Sequence, residues 1–100
     1  MATNNNNNTV FIGPKEIKHY ITGCFFALSR SPEIKIKARG KNNKTALDVL
    51  EILKRVYLDS PEYNILVDTD EFKDESGEIR KVTTLVITLS GTLKKEKFKK

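Results

Sequence analysis

Lys35, Lys37, Arg39, Lys41 and Lys44 put five cationic side chains within ten residues, with no anion among them. Cations at this density suit an anionic ligand, above all the phosphates of a nucleic acid. Ile34, Ile36 and Ala38 alternate with Lys35, Lys37 and Arg39. That period of two is a β-strand with one face toward a core and the other toward water. Gly40 then supplies a turn, and Asn42 or Asn43 is a candidate N-cap for a following helix. Free N–H groups at a helix start favour anions, so cations beside one fit a site expecting phosphate. A solvated strand face that keeps the chain soluble explains the same alternation. On composition alone both readings stand.

Periodicity supplies the elements that must hold this segment. Thr9 to Ile12 is a short β-rich run ended by Gly13-Pro14. Ile17, Ile21, Cys24, Phe25 and Leu28 recur at spacings of three and four, which predicts a helix from about Glu16 to Ser29. Ser31-Pro32 breaks it, and a strand follows from Glu33 to Ala38. Ala46, Val49, Leu50, Leu53 and Val56 or Tyr57 mark a second helix running to Tyr57, with Asp59-Ser60-Pro61 as its stop. Tyr63 to Phe72 and Ile79 to Leu89 form the arms of a long hairpin, with Lys73 to Glu78 at its tip. The order β-α-β-α-β-β predicts an α/β fold in the broad sense, an α+β two-layer sandwich. It has a mixed four-stranded sheet and both helices on one face.

One hundred residues make a single domain. Residues 1–8 are an asparagine-rich leader expected to be disordered, residues 9–91 the folded domain, and residues 92–100 a basic tail. No apolar run is long enough to span a membrane, and the N-terminus lacks the pattern of a signal peptide. The single cysteine, Cys24, excludes an internal disulfide and fits a reducing compartment as a small buried hydrophobe. Net charge is +5, but Lys94, Lys95, Lys97, Lys99 and Lys100 against Glu96 carry most of it. Within the body the signs separate. The basic segment at 35–44 contrasts with Asp68, Asp70, Glu71, Asp74, Glu75 and Glu78, which have only Lys73 among them.

Catalysis finds little support. His19 stands beside Tyr20 in a helix without a nucleophile signature, and Glu16 and Glu51 have no paired carboxylate at a recognisable spacing. There is no phosphate-cradling glycine loop and no Cys/His metal set, so neither cofactor nor metal nor small-molecule substrate is expected.

Val10-Phe11-Ile12-Gly13-Pro14-Lys15, Tyr20, Ile34 to Lys41, Ala46-Leu47-Asp48-Val49 and Glu51-Ile52 together resemble the Alba family, small archaeal chromatin proteins with eukaryotic RNA-binding relatives. The likeness runs in order from about residue 9 to 90. Lys-Ala-Arg-Gly followed by a cation is its most specific part. The resemblance implies a homodimer whose central basic patches sit on double-stranded DNA or RNA, compacting DNA or binding RNA without reading sequence. It also implies hairpins that reach along the grooves, higher-order assembly on nucleic acid, and a cytoplasmic location on the chromosome or nucleoid.

By that resemblance Lys15 matches the second lysine of the family's Ile-Gly-Lys-Lys turn. Pro14 replaces the first, the family's acetylation target, which leaves Lys15 as the candidate for modification. Arg39 and Lys41 match the cations flanking the family glycine. Lys44 stands one residue before the usual lysine of the second helix. Tyr57 takes the place of an aromatic that packs between dimers, with core packing as its alternative. The expected nucleic-acid surface comprises Lys15, Lys37, Arg39, Lys41, Asn42, Asn43 and Lys44, with Arg80 and Lys81 from the hairpin. The acidic tip departs from the family pattern, since carboxylates repel phosphates. It leaves a second reading, an RNA-binding or ribonucleoprotein assembly subunit whose hairpin meets a protein partner. Most of the eight aromatics fall in core-like positions, with Phe98 in the tail plainly exposed. That pattern favours backbone recognition over base stacking.

Overall fold

The computed structural model describes residues 8–94. Residues 1–7 of the leader and residues 95–100 of the tail, Phe98 included, lie outside the described residues. Between them the chain forms β1 (Thr9–Phe11), α1 (Ile17–Arg30), β2 (Glu33–Arg39), α2 (Asn43–Ile52), β3 (Leu58–Lys73) and β4 (Ile79–Leu93). The four strands make one sheet in the order β1-β2-β4-β3. β1 runs parallel to β2, and β4 pairs antiparallel with both β2 and β3. The β-α-β-α-β-β order, the mixed sheet and the long hairpin expected from the sequence are all present.

The alternation in β2 sets the layers. Ile34, Ile36 and Ala38 are buried, opposite Leu89, Ile87 and Leu85 of β4. α1 adds Tyr20, Ile21, Cys24, Ala27 and Leu28 from above, and α2 adds Ala46, Val49 and Leu50. Together with Ile12, Leu53 and Leu58 these residues form one core cluster. Lys35, Lys37 and Arg39 occupy the opposite face of β2, which carries no helix. Asn8, assigned to the leader by composition, is tied to this layer: its carbonyl accepts from the Lys35 N–H at 2.8 Å.

Four local expectations are corrected. The second helix does not run regularly to Tyr57. It ends at Ile52 and widens into a π-type turn over Leu53–Tyr57. The wider turn accommodates the burial of both Leu53 and Leu58, five residues apart. Asp59-Ser60-Pro61 is not the helix stop but a bulge within β3. Pairing jumps from Asp59↔Thr92 to Glu62↔Ser90, and Ser60 takes a φ of 51°. Pro61 has no N–H to give the ladder, and edge strands are where such an interruption is tolerated. Gly91 lies opposite the bulge with a φ of 155°. A Cβ there would meet the Asp59 carbonyl and Pro61 Cα at 3.3 Å.

The N-cap is the third correction. Neither asparagine caps α2 with its side chain: the chain enters the helix through a 3₁₀ turn over Gly40–Asn42, where the Gly40 carbonyl accepts from the Asn43 N–H. Last, the aromatics are less buried than their positions suggested. Phe11, Phe26, Tyr63 and Phe72 are all exposed, Phe11 to 59 %. Phe11 and Phe72 lie on the helix-free face, and α2 does not reach across the helix-side face of β3. Of Tyr63, Ile65 and Val67 on that face, only Ile65 is partly covered.

Cys24 lies fully inside the α1 layer, and burial pushes its thiol up from 9.0 to about 12. Between those values the folded chain keeps a proton that the unfolded chain releases, so stability falls as pH rises from about 9 toward 12. A thiol reagent at pH 8 is expected to leave Cys24 unmodified in the native protein and to react stoichiometrically once denaturant unfolds it. Rapid native labelling would contradict this burial.

Candidate nucleic-acid interface

Parallel pairing brings two loops together. Phe11 lies in register with Lys37, so β1 and β2 end at the same edge of the sheet. The Gly13–Glu16 connection and the Gly40–Asn42 turn therefore leave that edge side by side. Lys15 comes from the first, and Arg39 and Lys41 flank Gly40 at the start of the second. Gly40 has a φ of 61°, with open space where a Cβ would stand. Its requirement for glycine is conformational and not steric.

The first loop is held by Tyr20, a buried residue of α1. Its phenol oxygen accepts from the backbone N–H of Gly13 at 2.8 Å and from that of Lys15 at 3.0 Å. A Cβ on Gly13 would approach this oxygen to 3.3 Å. The second loop is held by Asn43, whose Nδ2 donates to the Thr83 carbonyl at 3.0 Å. That bond anchors the start of α2 to β4 where the hairpin leaves the body. Asn43 is thus turned inward, its Oδ1 buried without a hydrogen-bond partner. Asn42 is half-buried in the turn.

Ion pairing divides the expected cations. Lys44 is held by Asp48 at 3.2 Å, one helical turn on. Lys81 lies 3.9 Å from Glu71 directly across the hairpin. Arg80 Nε donates to Asp74 at 2.8 Å. By contrast, no ion pair among the described residues engages Lys15, Arg39 or Lys41. These three exposed cations are what the two adjacent loops present. Lys37 likewise forms no ion pair among the described residues; it shares the helix-free face of β2 with Arg39 but belongs to neither loop, and its ammonium lies 5.9 Å from the centre of the Phe11 ring. An open cleft along Pro14, Lys15, Lys18, His19 and Thr22 flanks the first loop.

The hairpin tip is a self-contained knot. Asp74 Oδ1 accepts from the N–H groups of Ser76 and Glu78 and from the Ser76 hydroxyl, while Oδ2 takes Arg80. The Arg80 hydrogen bond, then that of Ser76, hold the Asp74 carboxyl down from 3.8 to about 2. Gly77, with a φ of 89°, completes the turn. The cations expected to reach a ligand from the hairpin are therefore already matched to acids beside them.

The family model for Alba matches residues 8–66, from β1 to the middle of β3. The chain belongs to the Alba family. A relative from Nitrosopumilus maritimus, described as a DNA/RNA-binding protein Alba, is 31 % identical over 83 residues, covering 80 % of this chain and 86 % of that one. The solved structure of Alba from Thermoplasma volcanium superposes with a TM-score of 0.73 at 33 % identity, covering 83 % of this chain and 99 % of its own. ALBA1 from Trypanosoma brucei shares the fold at a TM-score of 0.65 and 19 % identity, over 86 % of this chain and 70 % of that one.

Tyr20 is the residue whose role the sequence did not disclose. Its place in the family pattern was visible, but its two bonds to a loop five to seven residues earlier require the packed geometry. Tyr20→Phe leaves two amide donors without their acceptor, at a cost of roughly 1–3 kcal/mol. A fall in the denaturation midpoint, with faster amide exchange at Gly13 and Lys15, is the expected result. Unchanged exchange at both amides would show that the phenol does not hold the loop.

Proposed function

We propose that this Alba protein binds the phosphate backbone of double-stranded nucleic acid through Lys15, Arg39 and Lys41. The observation that carries the reading is that two adjacent loops present these three cations together, none of them in an ion pair among the described residues, while Lys44, Arg80 and Lys81 are matched to carboxylates. An unpaired cation on a fixed loop releases counterions from a nucleic acid without first giving up a protein partner. Asn42 adds a polar neighbour, and Asn43 acts by fixing the turn. Phosphate contacts position a protein without reading bases, so sequence preference is weak and both DNA and RNA duplexes are ligands. The DNA/RNA-binding description of the relative from Nitrosopumilus maritimus supports this reading.

The functional unit is a homodimer. Leu47 on α2, together with Tyr63 and Val67 on the helix-side face of β3, leaves apolar surface open beside the core, with Val67 exposed to 62 %. A second copy that covers this strip doubles the phosphate-binding footprint. Tyr57 packs edge-on to Phe25 at 6.3 Å, next to the exposed Phe26, and this aromatic cluster is the contact between dimers in longer assemblies. Binding in this mode places the protein on the chromosome, in the cytoplasm of an archaeal cell, where it compacts DNA or coats RNA. Lys15, exposed and without an ion pair among the described residues, is the lysine whose modification would weaken the grip. No helix among the described residues is long and apolar enough to cross a membrane.

A second reading has its own observation. Asp68, Asp70, Glu75 and Glu78 carry no ion pair among the described residues. As a ribonucleoprotein assembly subunit, the protein would turn this hairpin away from phosphate and onto a basic protein partner.

Lys15→Ala/Arg39→Ala/Lys41→Ala is expected to weaken duplex binding and to flatten the plot of log affinity against log salt by about one unit per lost phosphate contact. Equal binding and an equal slope in the variant would remove the patch as the site. In sedimentation, the wild type is expected at dimer mass and Val67→Glu at monomer mass. A wild type that stays monomeric at high concentration would rule out the apolar strip as a dimer interface.

A further inference from the structure

The helix-free face of the sheet presents features that duplex binding does not use. Sheet register aligns Phe11, Lys37, Val86 and Leu66 in one row across all four strands. Phe11 and Leu66 are the exposed apolar members of this row. Beside it lies a cleft of about 340 Å³ lined by Phe11, Lys37, Arg39, Asp70 and Thr84, with Ile12 and Ala38 behind them. That volume falls within the range of small-ligand sites, about 300–1,000 Å³. Its chemistry is mixed: one aromatic ring open to solvent, two cations, and a carboxylate that forms no ion pair among the described residues.

We propose that this cleft takes an unstacked base of single-stranded nucleic acid, with the base on the Phe11 ring and its phosphates on Lys37 and Arg39. The inference rests on the nucleic-acid reading above and adds to it a subsite that shares Arg39. Charge complementarity selects the occupant. Lys35, Lys37 and Arg39 line the β2 side of the face, so a polyanion is drawn there, while Phe11 offers the π surface that a splayed base requires. A duplex cannot use this ring, because its bases are stacked and paired. Asp70 restricts the base further. A carboxylate accepts from an exocyclic amino group such as N4 of cytosine and repels the carbonyl that uracil presents at that position. The site therefore prefers cytosine to uracil. The Lys37 ammonium, 5.9 Å from the ring centre in the free protein, moves from the ring to the phosphate when the base arrives.

The test uses the full chain with labelled oligocytidine, oligouridine and a duplex of mixed sequence. Phe11→Leu keeps an apolar β-strand residue and removes the ring. Its oligocytidine affinity is expected to fall roughly five- to hundredfold, the loss of one stacked base, with duplex affinity unchanged. Asp70→Asn is expected to abolish the preference for cytosine over uracil. The chain has no tryptophan, so Phe11→Trp installs a single reporter whose emission is expected to be quenched by oligocytidine and not by the duplex.

Oligocytidine binding by Phe11→Leu at wild-type strength would overturn the proposal. So would equal losses on oligocytidine and duplex, or tryptophan emission indifferent to saturating oligocytidine. Duplex binding serves as the separate gauge of the phosphate-backbone reading. If it survives while the Phe11 effect is absent, the cleft alone is disproved. If the wild type binds neither, both readings fall.

Discussion

The parallel pairing of β1 with β2 is the constraint on which the basic end depends. A strand of three residues contributes little buried area, yet its direction decides which loops become neighbours. Had it run antiparallel to β2, Lys15 would lie at the opposite edge of the sheet from Arg39 and Lys41. The pairing holds because Val10 and Ile12 join the core from the β1 side while Ile34 and Ile36 fill it from β2. The cations thus depend for their positions on aliphatic side chains that never meet a ligand. α1 carries the connection between the two strands across one face, and its buried Tyr20 ties the returning loop down.

Much of this was legible from the residues. The alternation of Ile34, Ile36 and Ala38 with Lys35, Lys37 and Arg39 fixed both the strand and its faces, because a period of two has one structural meaning over that length. The spacing of Ile17, Ile21, Cys24 and Leu28 did the same for α1. What could not be read depends on distant partners. The Asn43 side chain had two plausible uses, helix cap and nucleic-acid contact, and takes neither, because the Thr83 carbonyl, forty residues away, holds it inward. Asp59-Ser60-Pro61 has the composition of a helix stop. It became a bulge because the strand it interrupts is an edge strand, and edge status is a property of the sheet.

The site was legible to a similar depth. Residue types and spacing led to Lys15, Arg39 and Lys41. They did not reveal that Arg80 and Lys81 are matched to Asp74 and Glu71, since cross-strand register cannot be counted reliably through a turn of unknown length. The aromatic residues misled for a related reason. Phe11, Tyr63 and Phe72 sit in β-rich runs that read as core, but α1 and α2 cover only part of one face and none of the other.

The hairpin carries a further meaning. Its distal half extends the molecule to 57 Å along its longest axis and contributes no residue to the core cluster. Asp74, Ser76 and Arg80 close the tip among themselves. The arm thus lies outside the packing that forms the core. Substitutions in the arm can accumulate without unfolding the body, and a change of charge there leaves Lys15, Arg39 and Lys41 in place. Such a molecule can exchange one set of contacts for another over evolutionary time while its grip on phosphate is inherited intact, which makes the arm the part of the chain most open to new specificity.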